Sequence, residues 1–378
     1  MSKRDFDFRP NPTRAVHVFG SCDDDLLAKI VPSITNFRFE GSTPITVYIN
    51  SPGGVIRSLE ILVSCLWDAD IEGHTHRIIT VATGDAASAA ATLLALGDYS
   101  IAHESSEIYF HGARFRELEI TTESAAECAA TLAHKNRQIA FRLANRVIRK
   151  LVHRYSLLCN EFEEKRKQPN TQKSDLDCFV ECILERVNLS ASQVVTEAYN
   201  KTKVALQLTE NILSNVTFSK EQSFLEQDGA VFKAILDHEI TQLSEKNWRL
   251  DEYGCSQLVQ DYLLLRDYQL GDHQQSLDWI IKHFGMPFLS QDEFNEYSQK
   301  DEKEKLTWLS DTVFSRIRPF WYFTLRLCQQ LQEGENRLSP ADAYWIGAVD
   351  EVMGTELQGY RSIIENATTD EESASTLV

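Results

Sequence analysis

The stretch GDAASAAATLLALG, Gly84 to Gly97, decides the fold. The apolar run before it, Arg77 to Ala82 (RIITVA), reads as a strand, and small residues then lead into a helical pattern, Ala86 to Leu96. Asp85 is expected to cap that helix. Upstream lie a short strand, Ala15 to Gly20 (AVHVFG), a helical stretch starting on carboxylates, Asp23 to Phe37, and a second strand, Ile45 to Asn50 (ITVYIN). That second strand ends in Ser51-Pro52-Gly53-Gly54 and is followed by the helical pattern Val55 to Ala69. Downstream, Glu107 to Phe110 (EIYF) is another strand. Strands alternating with helices call for parallel pairing through crossover helices, an α/β fold.

Further out the texture changes. Eight of the 16 glycines occur by Gly112 and the next is Gly229, with Pro169 the one proline between them, so a region of strands and turns gives way to helix. Thr121 to Leu158 reads as one long helix, and the polar Asn160 to Ser174 as a loop. Asp175 to about Gln330 reads as mostly helical, with breaks expected at Asn215, Gly254, Gly271 and Pro287. Leu338 to Met353 (LSPADAYWIGAVDEVM) reads as a capped helix, a glycine turn and a strand. The acidic end, Asn366 to Val378, has the composition of a disordered tail.

Composition bounds the function. With 378 residues, 43% of them apolar, the chain can bury a core without staples, and its net charge of −18 repels phosphate backbones. Nucleic acid is therefore disfavoured. No apolar run of membrane-spanning length occurs and the N-terminus lacks a signal peptide's apolar core, so a soluble, cytoplasmic protein with no membrane partner is expected. The eight cysteines are scattered rather than set at framework spacings and read as reduced core residues. Cys178 and Cys182 share a helical face, but no further ligand lies near them in sequence, and no metal or cofactor is expected.

Three strand ends carry chemistry. Ser88 sits where a strand turns into a helix, among alanines that admit a substrate, at a helix N-terminus that favours developing negative charge. By itself such a small-residue start is more often plain close packing. His111, just past EIYF and before Gly112, can take the Ser88 proton as general base and return it to a leaving amine. Gly53 and Gly54 can present bare backbone N–H groups to an oxyanion. Each has a bland reading, a tight turn or a solvated histidine, but together they describe one catalytic site.

These segments resemble the proteolytic subunit of Clp protease, within the ClpP/crotonase fold. The residues that carry the resemblance are Val18 to Gly20 with Asp23 and Asp24, YINSPGG (Tyr48 to Gly54), Gly84 to Gly97, IYFHGA (Ile108 to Ala113) and LSPADAYWIGAVDEV (Leu338 to Val352). The resemblance implies stacked ββα repeats. It gives an organisation of a ClpP-like α/β domain with a long handle helix at 1–158, a helical insertion at 159–330, a closing part at 331–360 and a disordered tail at 361–378. It implies a serine endopeptidase with Ser88 as nucleophile, His111 as base, and an oxyanion hole from the N–H groups of Gly54 and Ala89. It also implies peptide or unfolded-protein substrates bound as an extended strand, a homo-oligomeric ring and an AAA+ unfoldase partner.

Two features depart from the family. Matching backward from Leu338 places Leu331 where the family has its triad aspartate, which leaves Glu333, Glu335, an acid of the insertion, or a Ser-His dyad. The helical insertion has no counterpart. An inactive or weakly active ring or adaptor subunit is one alternative, and a crotonase-type acyl-CoA enzyme another. Among weaker features, His74 and His76 fit an exposed loop better than a metal site. The acid-free stretch His134 to Arg154 places Lys135, Arg142, Arg146, Arg149 and Lys150 near one helical face, expected to pair with acidic helices of the insertion or of a neighbouring subunit.

Overall fold

Five parallel strands form the spine of the molecule, in the order β1 (Ala15–Phe19), β2 (Ile45–Ser51), β3 (Ile78–Ala87), β4 (Tyr99–His103) and, from the far end of the chain, β7 (Glu351–Met353). The computed structural model describes residues 8–41, 43–68, 75–114, 121–166, 173–213 and 291–359. The last two strands, β5 (Ile108–His111) and β6 (Glu335–Leu338), leave this path: β5 runs parallel to the end of β3 and antiparallel to β6. β3 therefore serves two sheet segments. Its first half pairs β2 and β4, the register shifts beyond Ile49, and its last residues, Ala86 and Ala87, pair Ile108 and Tyr109. Central strands covered on both faces read as unbroken apolar runs, and Ile45, Val47, Ile49, Ile78, Ile79 and Ala82 are all fully buried.

The crossover helices are α1 (Asp24–Glu40), α2 (Ile56–Trp67) and α3 (Ala89–Leu96). Asp23 caps α1 by accepting the Leu26 N–H at 3.0 Å, as its acidic start suggested. Every residue of α3 is buried. Two readings need correction here. β3 continues five residues past Ala82, so the helix starts at Ala89, Asp85 lies within the strand, and its N–H goes to Asn50 Oδ1 at 3.1 Å. β4 was not anticipated; it is five residues long and follows α3 after only Gly97 and Asp98.

The long helix, α4 (Thr122–Arg166), runs eight residues past Leu158 into the stretch expected to be a loop. Beyond it come α5 (Asp175–Leu184), α6 (Leu189–Leu213), α7 (Gln291–Gln299) and α8 (Glu302–Leu331). The breaks expected at Asn215, Gly254, Gly271 and Pro287, and the tail at 366–378, lie outside the described residues. An aromatic cluster of Tyr155 and Phe162 on α4, Phe179 on α5, and Phe320 and Phe323 on α8 joins three helices, with Tyr155 and Phe162 centroids 4.9 Å apart. The apolar side of α4 from Ala140 to Phe162 is thus buried within the chain, including Leu143, Val147, Leu151 and Tyr155. A second subunit is not needed to cover it.

Three residues of the basic stripe on α4, Lys135, Arg146 and Lys150, pair with the α/β part. Lys135 pairs with Glu60 on α2 at 2.8 Å, and Arg146 with Asp98. Lys150, buried, reaches Ser100 Oγ at 2.9 Å and Asp350 at 3.4 Å. Arg154 donates to the carbonyls of Val349 and Asp350 at 3.0 Å, and its guanidinium lies 3.4 Å from the Tyr344 ring centroid. Lys150 and Arg154 fasten the closing unit to α4. That unit follows its expectation: α9 (Pro340–Trp345) opens on a Ser339–Asp342 capping box, Gly347 turns at φ +77°, and β7 follows.

His76 is buried and donates Nε2–H to the Gly41 carbonyl at 2.8 Å, which corrects the exposed-loop reading for this residue; His74 is outside the described residues. Cys178 and Cys182 form part of the buried face of α5. Glu161 and Glu185 approach Cys182, but Arg186 holds Glu161 and Lys165 holds Glu185, each at 2.6 Å. Burial pushes the Cys182 thiol up. No described helix is long and apolar enough to cross a membrane.

Candidate active site

Ser88 has φ +57° and ψ −121°, and among the described residues it is the one non-glycine with positive φ. A side chain resists this conformation, which is that of the first central residue of a type II′ turn and suits glycine. The surroundings enforce it. β3 must end and α3 begin without a connecting loop, the Ser88 N–H is held by Tyr109 C=O at 2.7 Å, and the Ser88 carbonyl accepts the Thr92 N–H at 3.1 Å. The hydroxyl takes no part in capping α3 and bonds to no described residue. A half-buried serine with strained backbone and an uncommitted Oγ at a strand-to-helix turn is a nucleophile elbow in form.

The glycine turn after β2 lies against this elbow. A Cβ on Gly53 would fall 2.5 Å from the Ala87 carbonyl, 2.6 Å from Ser88 Cβ and 3.1 Å from the Ala89 nitrogen, so only glycine allows the approach. Gly53 also adopts φ +92°. Gly54 is pinned on its other side by Cys22: the Gly53 carbonyl accepts the Cys22 N–H at 2.8 Å, the Val55 N–H goes to Cys22 C=O at 2.9 Å, and a Cβ on Gly54 would lie 2.1 Å from that carbonyl. Burial pushes the Cys22 thiol to about 11, with Asp23 adding to the effect, so this cysteine is a packing residue. Ala89 is the first residue of α3, where a backbone N–H has no partner within the helix. The structure brings Gly53 against Ser88 and Ala89, with Gly54 the next residue along the turn.

His111 ends β5, two residues beyond the Tyr109 carbonyl that holds Ser88. It is half-buried, its ring centroid is 5.5 Å from that of Tyr109, and its Nδ1 lies 2.7 Å from the Gly112 carbonyl. A carbonyl only accepts, so Nδ1 carries the proton and Nε2 the lone pair. His111 and Ser88 share a strand-end neighbourhood but make no hydrogen bond to each other. Leu331 is buried in the last turn of α8 and offers no acid. Glu333 is tied to Lys201 at 3.1 Å and to Gln330 at 2.6 Å, whereas Glu335 ion-pairs with Arg114.

Sequence reasoning missed the Gly53 contact with Ser88, the Tyr109 carbonyl that holds it, and Asn50 Oδ1, which steadies the strand extension through the Asp85 N–H. The glycine pair was visible as a signal; the two backbone contacts depend on strand pairing distant in sequence.

A mainly parallel sheet whose third strand delivers a serine elbow beside a glycine turn and a strand-end histidine defines an α/β protein. Residues 9–158 match the Clp protease family. One curated relative, the ATP-dependent Clp protease proteolytic subunit of Carsonella ruddii (strain PV), is 36% identical over 84 residues, which is 22% of this chain. The match spans 41% of that relative's length.

Proposed function

We propose that this chain is a ClpP-like serine peptidase that cleaves peptide bonds by acyl transfer. The observation that carries the reading is Ser88, strained at φ +57° with its hydroxyl uncommitted, beside the Gly53–Gly54 turn and the end of β5. In this mechanism Ser88 Oγ attacks the scissile carbonyl carbon while its proton passes to His111 Nε2. The tetrahedral oxyanion is received by the N–H groups of Gly54 and Ala89. Collapse breaks the C–N bond, and the leaving amine takes the proton from His111. Water, deprotonated by the same imidazole, then hydrolyses the acyl-enzyme.

The family match over residues 9–158 supports peptide or unfolded-protein substrates, closed-ring assembly and an AAA+ partner as parts of this proposal. The ring contact would lie away from the α4 face that α5 and α8 already cover. Residues 159–330 are read as a helical insertion that governs access or docks a partner.

A second reading, a subunit of weak or no activity, is favoured by one specific set of contacts. Leu331 is at the acid position, and His111 bonds to a neighbouring carbonyl instead of to Ser88 or a carboxylate. Hydrolysis of a fluorogenic peptide, compared among wild type, Ser88→Ala and His111→Ala, separates the two. Turnover lost in both variants supports the peptidase; wild-type turnover no greater than that of Ser88→Ala supports the weak subunit.

A further inference from the structure

Across the β5–β6 ladder His111 stands directly opposite Glu335. Opposed residues of an antiparallel pair project from the same face with Cβ atoms about 4.5–5.5 Å apart, within reach of a glutamate side chain. The other charged and aromatic groups on that face are committed elsewhere: Glu107 pairs with Arg337 at 3.1 Å, and Arg337 lies over the Tyr109 ring at 5.3 Å. Glu333, one residue before the turn, is held by Lys201 and Gln330. Glu335 itself is held by Arg114, three residues beyond His111, and both partners are more than half exposed, at 56% and 54%. Exposed ion pairs contribute little stability, so this one opens easily.

We infer that Glu335 is the positioning residue for His111 and that Arg114 is its lock, an assignment that rests on the peptidase reading. With Arg114 on Glu335, His111 turns its Nδ1–H to the Gly112 carbonyl, as seen. With Arg114 withdrawn, Glu335 accepts that Nδ1–H, fixes the ring, and offsets the positive charge the imidazole gains when Nε2 takes the Ser88 proton. Glu335 stays ionised throughout, and no proton leaves Nδ1. The role falls to a strand residue four positions after Leu331, on the opposite side of the Gly334 turn.

The test is the rate at which a fluorophosphonate probe acylates Ser88, measured for wild type, Arg114→Gln, Glu335→Gln, Glu335→Asp and the Arg114→Gln/Glu335→Gln double variant, with thermal midpoints recorded alongside. Loss of an orienting acid can cost on the order of 10⁴ in rate, and for a partly locked acid about tenfold is expected for Glu335→Gln. Glu335→Asp, which keeps the charge, should recover part of the loss. Arg114→Gln should react faster than wild type, and the gain should vanish in the double variant. A merely structural pair would move the thermal midpoints and leave this pattern of rates absent. The assignment is overturned if Glu335→Gln reacts at the wild-type rate, or if the Arg114→Gln effect persists without Glu335. Absence of a Ser88 adduct in every variant is a different result, which overturns the peptidase reading itself.

Discussion

Replacing Ser88 with glycine should stabilise the protein, although it removes the proposed nucleophile. The backbone at φ +57°, ψ −121° is one that glycine enters freely, and a strained non-glycine residue there costs on the order of 1–3 kcal/mol. Against this stands the larger freedom of glycine in the unfolded chain, about 0.4–1 kcal/mol, and a few tenths for a glycine at a helix N-cap. The difference favours Ser88→Gly by about 1 kcal/mol. Ser88→Ala keeps the strain and loses no hydrogen bond to a described residue, so it should stay within about 0.5 kcal/mol of wild type. Thermal unfolding of the three proteins provides the assay, with a rise of about 1–2 °C expected for glycine alone. If Ser88→Gly melts at or below Ser88→Ala, the elbow is not strained, and the principal geometric argument for a nucleophile at this position fails.

Four further outcomes are expected. Gly53→Ala should cost more than about 2 kcal/mol and abolish probe labelling, because its methyl must displace Ala87 C=O or Ser88 itself; denaturant midpoints and labelling check both. Lys150→Met should cost about 3 kcal/mol or more, read from urea unfolding, since it leaves the buried Asp350 carboxylate without its ammonium partner. Burial pushes the Asp177 carboxyl up, but hydrogen bonds from Tyr199 and Ser174 and the charge of Lys203 hold it below the usual carboxylate range. Its contribution is therefore present above about pH 4 and lost as pH falls through the depressed native value, so a deficit of about 1 kcal/mol in Asp177→Asn at pH 7 should shrink toward pH 2. Replacing residues 160–330 with a Gly/Ser linker should yield an aggregating protein in gel filtration, because it strips Phe179, Phe320, Trp321 and Phe323 from the apolar side of α4.

Much of the α/β part was legible because its signals are local. Asp23 before an apolar periodic stretch, Ser-Pro-Gly-Gly after ITVYIN, and Ser339 with Asp342 are capping and turn chemistry that act within a few residues. What escaped depends on partners far away in the chain. Gly84 to Ala87 have little strand propensity and are held extended by Ser51, Ile108 and Tyr109, so the sequence reads as an early helix. The stretch past Leu158 looks polar and loop-like, yet α4 continues because Glu161 and Lys165 pair with Arg186 and Glu185 of the following segment.

The candidate site divides in the same way. Ser88, His111 and the Gly53–Gly54 pair could be proposed from residue type and position at strand ends and Ala89 only through the family resemblance, but the positive φ of a serine carries no signature in sequence. The register that sets Glu335 against His111 rests on β6, four residues of which three are polar, and no local pattern announces it. The apolar positions of α4 were legible as buried, but not what buries them. Helices α5 and α8 of the same chain cover them, through packing between segments distant in sequence.

The most direct test of the central claim is peptide mapping by mass spectrometry after fluorophosphonate treatment of the full chain at neutral pH. The account predicts one adduct, on Ser88, absent from Ser88→Ala and strongly slowed in His111→Ala. An adduct on any other residue, or equal labelling of wild type and Ser88→Ala, would contradict it.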